Sequence, residues 1–209
     1  MADLSVRDLL DRLASREPAP GGGSASALTG ALGAALVEMV CALTAGRAEY
    51  AEVDPMIRQL AAAAADLRTA LTAAAEEDAD AYGAVVAARR LPRETDDQRA
   101  VRSPAVIEAT VLATEVPLRV ARLGSEVLDL ALAVAPIGNR HAISDAGVAA
   151  ALAAAAVRGA ALNVRINLPS LPAEHPLRAT AAETLDQLEA TLAPREQAVA
   201  EAVATRMPG

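Results

Sequence analysis

The sequence predicts an all-α protein, an antiparallel multi-helix bundle around a central apolar helix. Apolar residues recur three and four positions apart along most of the chain, and no run alternates in the manner of a β-strand. The chain is 53% hydrophobic but 1% aromatic, so its apolar content is Ala, Leu and Val, which favours closely packed helices. We expect residues 1–209 to form a single domain.

The central helix is predicted between a glycine run, which starts at Gly21, and Gly46. Ser24 is a suitable N-cap and Gly46 a suitable C-terminal residue, which gives a helix about 33 Å long at 1.5 Å per residue. One stripe of the helix carries large residues, Leu28, Leu32, Leu36, Met39 and Leu43. The opposite stripe is small except for one acid, with Ala27, Ala31, Ala34 and Glu38. A helix that is apolar on both sides is expected to be buried in a core or in a membrane.

The membrane alternative arises because residues 25–45 and 146–164 are both long and apolar. Glu38 and Arg158 lie inside these segments, and a charge at the centre of a membrane costs at least ~2.5–3.5 kcal/mol. We therefore expect buried helices of a soluble protein, with no membrane as partner. No positively charged leader precedes the first helix, which predicts a cytoplasmic location.

Charge and composition exclude several classes of function. The formal net charge of −8 argues against nucleic acid as a partner. All 19 basic residues are Arg, so neither a Schiff-base lysine nor a P-loop lysine is present. One Cys and two His are too few for a disulfide framework or a zinc cluster within one chain. We expect no metal site.

The helices of the first half of the chain have clear start signals. Residues 5–14 form an amphipathic helix with Ser5 as its cap, and Asp54, followed by proline, begins a helix that continues to about Arg90. Thr95 is a suitable cap for the next helix. The inward stripe of the long helix is predicted to be Ile57, Leu60, Ala64, Leu67, Leu71, Ala74, Asp78, Ala81 and Val85.

Prolines are expected to divide the second half of the chain. Pro104 kinks or restarts one helix, Pro117 begins another, and Pro194 interrupts the last one. Between them, Ser144 or Asp145 caps a long helix that ends near residue 168.

Two sets of polar side chains stand out on these helices. Asp78 lies on the predicted inward stripe, where an acid must be paired, protonated or functional, unless the stripe rotates and leaves Asp78 solvated. Asn163 and Asn167 share one helix face. Asp145 lies about 33 Å from Asn167 along the same helix, so the two touch one small ligand only if a second subunit supplies one of them.

Five stretches occur in the order and spacing of one known family: PAPGGGSASALTGALGAALVEMVCALTAG (18–46), DADAY (78–82), RLPRETDDQR (90–99), ATEVPL (113–118) and GNRHAISDAGVAAALAAAAVRGAALNVRINL (138–168). Together they resemble the cyclodeaminase domain of formiminotransferase-cyclodeaminase and the stand-alone methenyltetrahydrofolate cyclohydrolases of the same family. The sequence departs from the family where a basic run is reduced to Arg47, where Arg93 replaces a usual Lys, where Tyr82 replaces a usual Phe, and at Pro104.

The resemblance implies a homodimer that acts on a one-carbon unit carried by tetrahydrofolate. A cyclohydrolase would open the methenyl bridge with water to give 10-formyltetrahydrofolate, whereas a cyclodeaminase would close the formimino group and release ammonia. Neither reaction requires a metal or a cofactor beyond the tetrahydrofolate derivative. A folate-binding or scaffolding bundle without activity is the alternative of another class. The small stripe of the central helix is expected to permit close contact between two subunits.

The resemblance and the residue chemistry together assign candidate roles. Asp78 is the expected acid or base, or alternatively an ionised group that stabilises the cationic methenyl bridge, and Asp145 is a second catalytic candidate whose alternative role is a helix cap. The predicted substrate-binding residues are Gly21, Gly22, Gly23, Ser24, Arg47, Asn139, Asn163 and Asn167. The glycines would present N–H groups, with a positive φ at Gly22, or simply permit a tight turn. The asparagines would bind a pterin edge or be structural, and Arg47 and Arg93 are candidate partners for folate carboxylates.

Overall fold

The computed structural model describes residue 1 and residues 4–207. Six α-helices account for most of this part of the chain, joined by turns and two short 3₁₀ segments, and no strand occurs in it. The helices are α1 (Val6–Leu13), α2 (Gly22–Thr44), α3 (Asp54–Arg90), α4 (Asp96–Val134), α5 (Ile143–Asn167) and α6 (Pro176–Arg206). The predicted all-α antiparallel bundle is confirmed.

The central helix α2 packs against α3, α4 and α5, and α6 lies across α4 and α5. A Cβ on Gly23 would meet Asp78, so the N-terminus of α2 lies level with that residue of α3. Residues 79–90 of α3 therefore continue about 18 Å beyond the start of α2. They pair with the first part of α4 around a small core of their own, made of Ala81, Val85, Ala88, Ala109, Ala113 and Val116. This protruding pair of helices forms one wall of a cleft.

The start of α2 differs from the prediction. The helix begins at Gly22 with Gly21 as its cap, and Ser24 lies in the first turn, where its hydroxyl binds Asp78 instead of capping the helix. The prediction of Ser24 as N-cap was wrong because a tertiary partner takes its side chain. The C-terminus agrees with the prediction, since Gly46 follows the helix with a φ of 73°.

The inward side of α2 is its small stripe. Ala27 and Ala34 are fully buried, whereas Leu32 is 60% exposed, and Met39 and Leu43 are also exposed. The small residues are needed because α5 comes very close: a Cβ on Gly33 would lie 3.1 Å from the Ala149 carbonyl oxygen. The expectation that the small stripe would join two subunits is therefore corrected, because that stripe already packs within one subunit.

The prolines do not divide the helices as expected. Helix α4 runs through Pro104 and Pro117, and α6 runs through Pro194. A proline at position 117 leaves the Ala113 carbonyl without its helical donor. The side-chain amide of Asn167 donates to that oxygen at 2.7 Å, so another helix supplies the missing hydrogen bond.

The predicted helix starts have mixed outcomes. Ser5 caps α1, and Thr95 forms a complete capping box with Gln98 at the start of α4. Helix α5, however, begins one residue before Ser144, with Ala142 as cap and no side-chain capping bond. Ser144 and Asp145 thus lie in the first turn of α5, and the prediction that one of them caps it was wrong.

Two segments, Gly22–Thr44 and Ile143–Ser170, are long and apolar enough to cross a membrane, and half of each apolar window is buried inside the bundle. The charges near the centres of these segments are paired with neighbouring helices. Glu38 accepts a hydrogen bond from Arg68 of α3 at 2.9 Å, and Arg158 donates to Glu196 of α6 at 2.5 Å.

We expect opposite effects from two glycine substitutions in this bundle. Gly33→Ala should destabilise the fold by about 1–3 kcal/mol, because the added methyl presses on the α5 backbone. Gly83→Ala should stabilise it by up to ~1 kcal/mol, because no atom lies within 4 Å of the new Cβ and alanine favours the helix. Urea unfolding at one fixed protein concentration measures both values, and equal shifts of the two midpoints would contradict the close α2–α5 contact.

Candidate active site

A cleft of about 440 Å³ lies between the N-terminus of α2, the protruding part of α3 and the C-terminus of α5. Of the predicted site residues, it brings together Gly21, Gly22, Gly23, Asp78, Asn163 and Asn167. The other residues around it are Pro18, Ala19, Tyr82, Val85, Arg89, Ala113, Ile166 and Ser170. Four stretches that are far apart in the sequence thus form one cavity.

The closest contact in the cleft joins α2 to the carboxylate of Asp78. A Cβ at Gly23 would lie 2.1 Å from Asp78 Oδ1, so only glycine fits here while Asp78 keeps its position. The Ser24 hydroxyl donates to Asp78 Oδ2 at 3.0 Å, and the Ser24 backbone N–H also binds the carboxylate. The anion at the N-terminus of α2 is therefore a side chain of the protein itself.

Burial raises the pKa of Asp78 above its usual value of 3.8, and the two hydrogen bonds from Ser24 partly offset this effect. The side chain is half-buried, with one edge facing the cleft. A carboxyl group with a raised pKa, fixed in position and accessible from a cleft, is suited to exchange protons with a bound molecule.

Gly22 does not have the conformation and steric role that were predicted for it. Among the described residues only Gly46 has a positive φ, so the predicted positive φ at Gly22 was wrong. A Cβ at Gly22 would make an ordinary contact of 3.5 Å with Asn163 Nδ2. The steric restriction that was expected at Gly22 applies at Gly23.

Both asparagines are held with their amide nitrogens turned toward the backbone. Asn163 Nδ2 donates to the Gly159 carbonyl at 2.9 Å, and Asn167 Nδ2 donates to Ala113. No donor from the described part of the chain reaches either Oδ1 atom. The two side chains therefore combine a structural bond with a free acceptor beside the cleft, so the two expected roles are compatible.

Tyr82 and Arg89 also line the cleft. Tyr82 belongs to a stretch that resembles the family but had no predicted role, and Arg89 was not among the predicted site residues. With Asp78 they occupy positions i, i+4 and i+11 of α3, which is one face of a helix. That spacing is a signal from which both residues were predictable once Asp78 had been identified.

The remaining candidates lie at the other end of the bundle. Asn139 is buried and donates to the Leu43 carbonyl at 2.9 Å, while its backbone N–H donates to Thr44. Arg47 follows α2 and lies 3.7 Å from Glu49, and Asp145 is in the first turn of α5. Because α2 spans 23 residues, this end is about 33 Å from Gly22. Within one subunit these residues do not reach the cleft, and their roles stay predictions.

The described residues contain no group of three or more His, Cys, Asp or Glu side chains that could hold a metal ion. Arg93, the other candidate for folate carboxylates, does not line the cleft, and its carbonyl accepts from Arg99 at 2.9 Å.

Comparison with known proteins identifies relatives of the whole fold. A formiminotransferase-cyclodeaminase family model matches residues 5–186. A methenyltetrahydrofolate cyclohydrolase of Methylorubrum extorquens is 46% identical over 189 residues, which are 90% of this chain and 89% of that protein. A formimidoyltransferase-cyclodeaminase of Rattus norvegicus is 36% identical over 82% of this chain but only 32% of its own length.

Among solved structures, the formiminotetrahydrofolate cyclodeaminase of Thermotoga maritima superimposes with a TM-score of 0.86 at 27% identity, and covers 98% of both chains. The sequence motifs, the helical bundle and these matches agree. The chain belongs to the formiminotransferase-cyclodeaminase family.

Proposed function

We propose that this protein is a methenyltetrahydrofolate cyclohydrolase, which converts 5,10-methenyltetrahydrofolate and water into 10-formyltetrahydrofolate. The observation that carries the proposal is the carboxylate of Asp78, fixed by Ser24 and Gly23 and facing a cleft large enough for part of a small molecule. The 46% identity to a methenyltetrahydrofolate cyclohydrolase over 90% of the chain supports this reaction over others of the family.

The chemistry required is addition of water followed by opening of a ring. The methenyl carbon shares a positive charge with N5 and N10, and the water oxygen bonds to this carbon while one water proton leaves. The C–N5 bond then breaks, N5 gains a proton, and the former water oxygen releases its second proton to solvent as it becomes the formyl oxygen. Asp78 is the group in the cleft that would accept the first proton and return one to N5. The raised pKa makes the Asp78 carboxylate a stronger base and brings its titration closer to neutral pH.

The rest of the cleft would orient the substrate. The free Oδ1 atom of Asn163, beside Gly22, is an acceptor for an N–H group of the pterin, and that of Asn167, one turn closer to Ser170, is an acceptor for an N–H group further along the substrate. Ionised Asp78 would also favour binding of the cationic methenyl bridge. Proton transfer and charge stabilisation suffice for the reaction, so the proposal includes no metal and no cofactor beyond the tetrahydrofolate derivative.

The cyclodeaminase reaction is the second candidate, favoured by the Thermotoga maritima structure, which shares 98% coverage with this chain. Both reactions pass through a tetrahedral carbon between two nitrogens, so the same carboxylate would serve either. An absorbance assay for methenyltetrahydrofolate separates them: a cyclohydrolase consumes the methenyl compound, and a cyclodeaminase forms it from the formimino compound with release of ammonia.

The proposal includes a homodimer formed through one apolar face, which we call the α2–α5 face. It consists of the outward side chains of two antiparallel helices, namely Leu32, Leu36, Met39, Leu43, Val148, Leu152, Leu162 and Ile166. Glu38, Arg158 and Arg165 turn away toward α3 and α6, where each is paired. A broad exposed face with few charges is typical of a protein interface, and a two-fold axis would let it bind a second copy of itself.

A partner on the α2–α5 face would adjoin the cleft, because Ile166 belongs to both. An antiparallel arrangement of the two subunits would bring the far end of one, with Arg47, Asn139 and Asp145, toward the cleft of the other. This is the arrangement in which those three residues would take part in the site. We propose that this dimer is soluble in the cytoplasm and binds neither membrane nor nucleic acid.

Asp78→Asn tests the catalytic role of the carboxylate. We expect turnover to fall ~10²-fold or more, the scale of a lost acid or base, with the helical circular dichroism unchanged. Asp80→Asn, two residues along α3 and exposed, is the matched control and should keep parental turnover. Full activity of Asp78→Asn on both the methenyl and the formimino compound would remove Asp78 from the mechanism.

The raised pKa of Asp78 also predicts how the free energy of unfolding of Asp78→Asn, relative to the parent, depends on pH. Because the folded-state pKa of Asp78 is above 3.8, its favourable contribution to folding is present below that pH and is lost as the pH rises through the raised pKa. Asp78→Asn should therefore become at least as stable as the parent at neutral pH, with an advantage that grows from about pH 4 upward. Urea midpoints at pH 4 and pH 7 measure this, and a constant difference would show that burial does not control the Asp78 titration.

Gly23→Ala tests the contact between α2 and Asp78. The methyl group would displace a flexible carboxylate and not the backbone, so we expect a folded protein with about 10²-fold lower turnover. Gly83→Ala adds the same methyl group in open space and is the control. Normal turnover of Gly23→Ala would mean that the position of Asp78 is not critical.

Leu32→Glu tests the dimer. The parent should have twice the monomer mass of 21.2 kDa by light scattering in detergent-free buffer, and a charge on the α2–α5 face should shift it toward the monomer. Val101→Glu places the same charge on an exposed valine of α4 outside the face and should leave the dimer intact. A monomeric parent would contradict the proposed dimer. A parent that sediments together with lipid vesicles in detergent-free buffer would contradict the proposal that the protein does not bind a membrane.

A further inference from the structure

Among the described residues that line the cleft there is one cation, and it lies at the opposite end from Asp78. Arg89 is eleven residues beyond Asp78 on the same face of α3, so the two side chains start about 16 Å apart along the helix axis. Arg89 Nη2 donates to Ser170 Oγ at 3.3 Å, and Ser170 also lines the cleft. The guanidinium group is thus held at the cavity wall.

No carboxylate of the described part of the chain forms an ion pair with Arg89. By contrast, Arg119, Arg158 and Arg165 are each paired with a glutamate on a neighbouring helix. Arg89 also lies in the last turn of α3, where the helix dipole favours a positive charge. An unpaired, oriented guanidinium group in a cleft is suited to bind a carboxylate from outside the chain.

Tyr82 lies between the two charged groups. It is one of only two aromatic residues in the chain, and it is 43% exposed although it contacts the cleft. Its position one turn beyond Asp78 places a flat ring on the path from Asp78 to Arg89. An aromatic ring of a ligand would stack on it at this point.

We propose that this face of α3 sets the direction of the bound folate, with Arg89 as the residue that binds its glutamate carboxylate. The one-carbon bridge lies at Asp78, the p-aminobenzoyl ring stacks on Tyr82, and the glutamate reaches Arg89 and Ser170. This inference rests on the proposed function, since it takes a tetrahydrofolate derivative as the ligand. It assigns Arg89, and not Arg47 or Arg93 of the same chain, to the carboxylate.

The test compares two substrates, 5,10-methenyltetrahydrofolate and the methylamide of 5,10-methenyltetrahydropteroate, in which a neutral methylamide replaces the glutamate. Arg89→Gln should raise KM for the folate by about tenfold or more while kcat changes little, because a charge-assisted bond to a remote carboxylate is lost. For the pteroate compound the parent and Arg89→Gln should have the same KM. Arg90→Gln removes a neighbouring exposed charge outside the cleft and should match the parent on both substrates.

Tyr82 has its own pair of variants. Tyr82→Phe keeps the ring and should retain the parental KM, whereas Tyr82→Leu should raise KM for both substrates, since both carry the p-aminobenzoyl group. Circular dichroism and the melting temperature establish that each variant is folded. Equal KM values for Tyr82→Phe and Tyr82→Leu would contradict the stacking contact.

Calorimetric binding of tetrahydrofolate separates this inference from the proposed reaction. If the parent has no turnover but binds tetrahydrofolate about tenfold more tightly than Arg89→Gln does, the reaction is wrong and the Arg89 contact stands. Suppose instead that the parent turns over the folate. If Arg89→Gln then has an unchanged KM for the folate, or an equally raised KM for the folate and the pteroate compound, the reaction stands and the Arg89 contact is wrong.

Discussion

The contact between the first turn of α2 and the carboxylate of Asp78 is the constraint on which the rest of the site depends. It requires a glycine at position 23, because a Cβ there would occupy the place of Asp78 Oδ1. It also requires that α2 and α3 pack closely, and a Cβ on Gly30 of α2 would lie 3.2 Å from the Leu71 side chain of α3. Small residues on α2 therefore help to fix the half-buried carboxylate of Asp78 in position.

A second constraint links the fold to the cleft through backbone hydrogen bonds. Pro117 deprives the Ala113 carbonyl of its donor, and Asn167 restores that bond from α5. The same bond orients the Asn167 side chain at the edge of the cavity. A residue that looks like a binding residue in the sequence thus also maintains the α4–α5 contact, so substitution of Asn167 would change stability and binding together.

The parts of the fold that were predictable are those determined by local chemistry. The cap at Ser5, the capping box at Thr95 and the inward stripe that includes Asp78 all follow from spacing within a few turns. The wrong predictions involve partners far away in the sequence. Ser24 prefers Asp78 to its own helix terminus, and the helix continues through Pro117 because Asn167 compensates.

The two sides of α2 show another limit of periodicity. A helix that is apolar all round has two candidate core faces, and spacing does not distinguish them. The choice is made by the neighbour: α5 comes so close at Gly33 that large side chains such as Leu32 are turned outward. Likewise, the motifs of the family contained Arg47 and Asn139 without indicating that they lie about 33 Å from Gly22 within one subunit.

The outward apolar side chains and the cleft meet at Ile166, which is 76% exposed in the single subunit. A partner seated on the α2–α5 face would cover Ile166 and remove water from that side of the cavity. Removal of water would strengthen every electrostatic interaction in the cleft and raise the pKa of Asp78 further, because burial is already the main cause of its shift. In the proposed dimer, assembly and catalysis would be coupled through the solvation of one carboxylate, and the exposed leucines of α2 would contribute to the chemistry without touching the substrate.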